Sequence, residues 1–205
     1  MEVYLVQFGT LAFVHFLVVI TPGPDFALVA SRSLLLSRRE ALVTALGVVS
    51  GVAIHLTYTL FGVVALLGQS SVLFDVVRWS GALYLTYLGL RFLFARGSPM
   101  NILPGAPAHS LRQAYLSGFF SNLLNPNVLF FFVALFTQIV SPGTPLLVKF
   151  IYATEILLVT VLWYTFVAYI LSTPRFRGRW EKYSRAIELL AGLVLVGFGI
   201  HLGLQ

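Results

Sequence analysis

The sequence predicts an all-α integral membrane protein whose six transmembrane helices form two inverted repeats of three helices each. Three observations lead to this fold class. Hydrophobic residues make up 59% of the 205 residues and charged residues only 10%, whereas soluble domains carry roughly 25% charged residues. The apolar residues form segments long enough to cross a bilayer, since a spanning helix needs about 20 residues. Two of these segments are interrupted by proline at similar positions.

Six segments qualify as spans. They cover residues 5–31, 41–67, 72–95, 114–140, 146–171 and 187–204. The first, third and fifth connections carry ten basic residues, whereas those on the opposite side carry only Arg78 and Lys149. Cytoplasmic loops are enriched in Lys and Arg. We therefore expect a multi-pass protein of the cell (inner) membrane with both termini outside the cytoplasm, and a single domain over residues 1–205.

The formal charge of +6 is accounted for by this topology, so no nucleic-acid partner is expected. In the fifth connection, Phe176, Trp180 and Tyr183 recur at helical spacing among basic residues. Aromatic side chains are typical of the membrane interface. The sequence predicts an interfacial segment with aromatic anchors here.

The first span is broken at Thr21-Pro22-Gly23-Pro24-Asp25. Proline has no backbone N–H, so the carbonyls of Val18 and Ile20 are expected to lose their helical partners. Within a membrane such carbonyls are tolerated only where they face protein or a water-filled cavity. A broken helix followed at once by a carboxylate predicts a binding site.

The fourth span has a second break, at residues 122–127, which read Asn-Leu-Leu-Asn-Pro-Asn. Pro126 occupies a position in its span similar to that of Pro22 in the first. We therefore divide the chain into repeats of approximately 1–96 and 112–205, joined by a cytoplasmic linker at 97–111. Because each repeat has three spans, the two must insert in opposite directions, which is an architecture of secondary transporters.

The two break motifs, with Gly47/Gly51 and the segment 81–89 between them, resemble the LysE/RhtB family of amino-acid exporters over essentially the whole chain. Residues 37–41 and 197–202 are most similar to threonine exporters, although Asn127 stands where members often have Lys. The resemblance implies a secondary transporter, not an enzyme, that exports threonine- or homoserine-like amino acids by proton antiport without a cofactor.

Eight residues are expected to bind substrate: Thr21, Pro22, Gly23, Pro24, Asp25, Asn122, Asn125 and Pro126. Asp25 could hold the substrate ammonium or merely cap the helix that it opens. The substrate carboxylate would suit the start of either half-helix, where free N–H groups favour an anion. The two asparagines could contact substrate or satisfy the kinked backbone.

Asp25, Glu155 and His55 are the candidates for proton coupling. An ionisable group inside a membrane needs a partner or a cavity, and Glu155 could equally make a structural hydrogen bond. His15 and His201 are interpreted as structural. No metal site is expected, since the chain has no cysteine and few acids.

Three other functions compete with amino-acid export. They are export of another small metabolite, export of a divalent cation, and an intramembrane enzyme in which Asp25 and Glu155 share a site. The glycines of 47–51 and 199–203 allow close helix approach, which would serve either internal packing or a homodimer.

Overall fold

The computed structural model describes residues 2–69, 71–95, 110–140, 144–170 and 174–204, and every regular element in these ranges is an α-helix. The helices are α1 (Glu2–Ile20), α2 (Pro24–Leu35), α3 (Arg38–Gln69), α4 (Ser71–Phe94), α5 (Leu111–Leu123), α6 (Pro126–Ile139), α7 (Leu146–Ile170) and α8 (Pro174–Gly203). The all-α prediction is confirmed. Most of the predicted linker at 97–111 lies outside the described residues.

Both predicted breaks separate two helices. Pro24 begins α2 and Pro126 begins α6, because proline fits the first helical position, where an N–H would have no helical partner anyway. The axes of α5 and α6 meet at 54°. One expectation was wrong: the Val18 carbonyl is not free, because it accepts a 3.1 Å hydrogen bond from the Thr21 N–H. The last turn of α1 tightens and satisfies it.

The count of six spans stays a prediction. Within the described residues, four helical segments are long and apolar enough to cross a membrane: α1, Arg38–Gly62 of α3, α7, and Lys182–Gly203 of α8. Taking the bent pair of α5 and α6 as one span gives five. Helix α4 has 24 residues, which is long enough, but it carries three charged residues. Helix α1 has spanning length by itself, so the first break follows a complete helix.

Glycines bring the helices of the bundle close together. A Cβ at Gly47 in α3 would collide with the Tyr115 backbone in α5, and a Cβ at Gly192 in α8 would lie 2.8 Å from the Gly89 carbonyl oxygen in α4. A Cβ at Gly199 would likewise meet Thr86. These glycines therefore serve packing within the chain.

Helix α8 begins earlier than the sixth predicted span, because the predicted interfacial segment is helical from Pro174. Tyr183 is exposed. Trp180, by contrast, is 8% exposed and stacks on Phe26 of α2 with 4.8 Å between ring centres. The prediction of an interfacial anchor is wrong for Trp180, since it packs inside the protein against Phe26 and against Trp163 of α7.

Candidate functional site

A cavity of about 430 Å³ lies where the two helix breaks meet. Its volume falls within the range of small-molecule sites in proteins. Seven of the eight predicted substrate-binding residues line it: Thr21, Pro22, Gly23, Pro24, Asp25, Asn122 and Asn125. Pro126 is not among the lining residues. The structure therefore gathers two motifs that are about a hundred positions apart in the chain.

Asp25 is 7% exposed, and both of its carboxylate oxygens accept hydrogen bonds from α5. Ser121 Oγ donates to Oδ1 and Asn122 Nδ2 donates to Oδ2, each at 2.7 Å. Gly23, not Asp25, is the N-cap of α2, and no side chain caps this helix. The capping alternative is therefore wrong. The carboxylate is held by two neutral donors, and no Lys or Arg forms an ion pair with it in the described structure.

Asn122 connects Asp25 to helix α3. Its backbone carbonyl lies 3.1 Å from Nε2 of His55. Its side chain packs against Gly51, where a Cβ would be 2.7 Å from Asn122 Oδ1. His55 itself does not line the cavity. It therefore reaches Asp25 through Asn122 and has no direct contact with the cavity.

Asn125 satisfies the backbone of the second break. Its Oδ1 accepts a 3.0 Å hydrogen bond from the Asn127 N–H, which caps α6. The Tyr84 hydroxyl then donates to the Asn127 carbonyl at 2.9 Å. Of the alternatives for Asn125, backbone satisfaction is the one that the geometry displays, although the residue also borders the cavity.

Glu155 lies outside the cavity. It is half-buried, and Oε2 has no hydrogen-bond partner among the residues that the structure describes. Thr160, which does line the cavity, is five residues further along α7, or about 7.5 Å along the helix axis. Neither hydrogen bond to Asp25 comes from Glu155. The shared carboxyl pair that an aspartyl enzyme needs is not present in this arrangement.

Two residues that the sequence reasoning missed add polar chemistry to the site. Ser121 precedes Asn122 in the second motif, and that adjacency was an available signal. Arg91, in the last turn of α4, lines the cavity while its guanidinium lies 5.9 Å from the ring centre of Tyr87. The sequence reasoning gave it no role at a site, because a basic residue near a helix end is typical of the cytoplasmic side.

His15 and Thr160 also line the cavity, between α1 and α7. His15 Nε2 lies 3.4 Å from Thr160 Oγ1. No sequence signal joins these residues, which are 145 positions apart.

The charged groups of the cavity wall have opposite signs. Asp25 and Arg91 are the acid and the base among its described lining residues, and most of the remaining wall is apolar. Such a cavity is complementary to a small molecule that carries one positive and one negative group. The described residues contain no group of three or more His, Cys, Asp or Glu side chains that could hold a metal ion.

Comparison with known proteins indicates the family of the chain. The family model described as LysE type translocator matches residues 16–205. The threonine efflux protein of Escherichia coli (strain K12) is 30% identical over 203 residues, covering 97% of this chain and 98% of that protein. The leucine efflux protein of Klebsiella pneumoniae is 28% identical over 207 residues and covers 96% of each chain. No solved structure gives a significant match.

Proposed function

The chain belongs to the LysE type translocator family, and from that premise we propose that it exports small amino acids resembling threonine or homoserine in exchange for protons. It is a multi-pass membrane transporter and not an enzyme. The relatives named as threonine efflux proteins support the substrate class.

The observation that carries the proposal is the buried carboxylate of Asp25 at the wall of the cavity. A charge inside a membrane costs several kcal/mol unless a partner or water compensates it. Ser121 and Asn122 supply neutral hydrogen bonds but no positive charge. A substrate ammonium would supply that charge, and a charge-assisted hydrogen bond to a carboxylate is about twice as strong as a neutral one.

The substrate carboxylate would bind at Arg91, the basic residue of the cavity wall. The first turn of α2 offers further donors, because its earliest N–H groups have no helical partner and Gly23 brings no capping side chain. The corresponding turn of α6 is less suitable, since Asn125 already caps it. We therefore assign the carboxylate to Arg91 and the start of α2, rather than to α6.

Proton exchange would use the same carboxylate. If Asp25 binds either a substrate ammonium or a proton, but not both, then loading one releases the other, and this competition couples the two movements. His55 would tune this exchange through Asn122. Glu155 would pass the proton between Asp25 and the far side of the membrane.

The proposed topology has six spans in two inverted repeats, with α4 as the third span and both termini outside the cytoplasm. The close approach of Gly89 in α4 to Gly192 in α8 supports the repeat. These helices contain the third proposed spans of the two halves, and they would meet across the axis that relates the halves. The glycines that suggested a homodimer pack within the chain and so do not support one. The homodimer stays a prediction.

Counterflow in proteoliposomes tests the function. Purified protein would be reconstituted with unlabelled threonine inside, and uptake of labelled threonine would be followed. We expect uptake above that of protein-free liposomes, with competition by homoserine and none by a molecule that lacks the ammonium group, such as 2,3-dihydroxybutyrate. Equal competition by the molecule without an ammonium group would contradict the role of Asp25. Absence of counterflow for any amino acid would reject the function.

A further inference from the structure

We propose that His15 and Thr160 form a subsite that hydrogen-bonds a hydroxyl group on the side chain of the transported amino acid. The inference rests on the proposed function, because it assigns the part of the cavity that would read the substrate side chain. The sequence interpretation of His15 as a structural residue does not explain why its Nδ1 lacks a hydrogen-bond partner beside the cavity.

His15 is a buried polar residue on the cavity wall. Only 3% of it is exposed, and its neighbour Thr160 is 1% exposed. Nδ1 of His15 has no hydrogen-bond partner among the described residues. A buried polar atom without a partner is rare in proteins and calls for an explanation, and a ligand in the adjoining cavity provides one.

The hydrogen bonds of Thr160 indicate which ring nitrogen carries the proton. Its hydroxyl donates to the Ile156 carbonyl at 2.7 Å, so its single proton is already used. Toward Nε2 of His15, at 3.4 Å, the hydroxyl can therefore only accept. In a neutral imidazole one nitrogen donates and the other accepts. Nε2 accordingly carries the proton, and Nδ1 is an acceptor.

An acceptor at this place selects for a donor on the ligand. The nearby wall is apolar: the His15 ring packs against Phe132 with 6.2 Å between ring centres, and Val18, Val128 and Phe131 border the same cavity. Donors of the amino acid's backbone have Asp25 as their partner. His15 lies five residues before Ile20, the last residue of α1, or about 7.5 Å along the helix axis. It therefore borders a different part of the cavity from the first break, and we assign it to the side chain of the ligand.

The subsite would distinguish ligands by whether their side chain can donate a hydrogen bond. A site built to hydrogen-bond a hydroxyl rejects an analogue that lacks it, because the buried polar group of the site is then left without a partner. The same argument rejects a ligand oxygen that can only accept. Threonine and homoserine satisfy Nδ1, whereas valine does not.

Two pairs of substrates test this prediction in the counterflow assay. Threonine and valine have nearly the same shape and differ in the hydroxyl group. Homoserine and O-methylserine are isomers with side chains of equal length, but the oxygen of O-methylserine is an ether one atom nearer the backbone and cannot donate. For the unaltered protein we expect threonine to exceed valine, and homoserine to exceed O-methylserine, by roughly ten-fold or more in uptake at limiting concentration.

Three variants of His15 separate an acceptor from a merely structural ring. His15→Asn places an oxygen near the position of Nδ1 and should keep both preferences. His15→Gln places its amide nearer Nε2, and His15→Phe has no acceptor. Both should bring each ratio close to one, and gel filtration of each variant reports folding independently of transport.

The outcomes are distinct. Collapse of both ratios in His15→Phe, with recovery in His15→Asn, would support the subsite. Unchanged ratios in His15→Phe would overturn the subsite and leave the exporter function intact. Equal uptake of all four substrates by the unaltered protein would do the same. Parallel loss of valine and threonine uptake in folded His15→Phe would give His15 a structural role and also overturn the subsite. Failure of the unaltered protein to carry any amino acid would instead reject the function on which it rests.

Discussion

Asn122 donates a 2.7 Å hydrogen bond from Nδ2 to Oδ2 of Asp25, and this bond joins the two helix breaks of the chain, 97 positions apart. Ser121 adds a second bond of the same length to Oδ1. Helix breaks have fewer backbone hydrogen bonds than helices, so these side-chain bonds help to set their relative position. The carboxylate that we propose binds substrate is therefore bonded to the residues of the second break as well as belonging to the first.

The first prediction concerns the charge of Asp25. We expect Asp25→Asn to lower threonine counterflow by about 100-fold, because a neutral amide cannot replace the charge-assisted bond to an ammonium. The folded state should survive, since Asp25 is not the cap of α2. Counterflow is measured on protein that elutes as one species in gel filtration. Ser121→Ala is the control, as it removes one donor and keeps the carboxylate. Robust counterflow by Asp25→Asn would remove Asp25 from the site.

A second prediction concerns the position of Asn122. A Cβ added at Gly51 would lie 2.7 Å from Asn122 Oδ1 and 2.9 Å from its Cβ, so Gly51→Ala must displace this side chain. We expect counterflow to fall by roughly ten-fold, corresponding to about 1.4 kcal/mol in binding. Gly62→Ala is the matched control in the same helix, because a Cβ there meets nothing within 4 Å. Equal activity of the two variants would show that transport does not depend on this bond.

The third prediction separates proton movement from substrate movement. If Glu155 carries the proton, Glu155→Gln should abolish efflux driven by a pH gradient and leave counterflow, which needs no net proton movement. Both assays use the same proteoliposomes. Asp75→Asn, which neutralises an exposed carboxyl in α4, should change neither. Parallel loss of the two activities by Glu155→Gln, with less folded protein, would indicate a structural hydrogen bond instead.

The fourth prediction concerns orientation. The chain has no cysteine, so a single introduced cysteine reports its own side of the membrane. Arg39→Cys, at an exposed site at the start of α3, should resist a membrane-impermeant thiol reagent in intact cells. Leu204→Cys, exposed just after α8, should react. The opposite pattern would overturn the orientation that the basic residues predict.

Local features of the fold could be predicted from the sequence. Pro24 and Pro126 begin helices where the chain was expected to break, because proline lacks an N–H whatever surrounds it. The partners of Asp25 were only half predicted. Asn122 was among the expected site residues, whereas Ser121 was not, since a serine in a helix more often bonds its own backbone.

Two other interpretations depended on packing, and one of them was wrong because packing outweighed a local tendency. Trp180 was predicted to lie at the interface, as tryptophan among basic residues usually does, but it is buried against Phe26. Gly47 and Gly51 were expected to allow close approach to a neighbouring helix, and which helix that was depended on the fold. The neighbour is α5, which carries Asn122.

The sequence by itself determined the class of the protein and the position of its two breaks. Both follow from properties that each segment has alone: enough apolar residues to cross a bilayer, and prolines that remove backbone donors. Only the tertiary structure decided which polar groups share the cavity. Ser121 reaches Asp25 across 96 positions, and His15 reaches Thr160 across 145. Such pairs depend on how the helices pack against one another, and the spacing of residues along one helix does not contain that information.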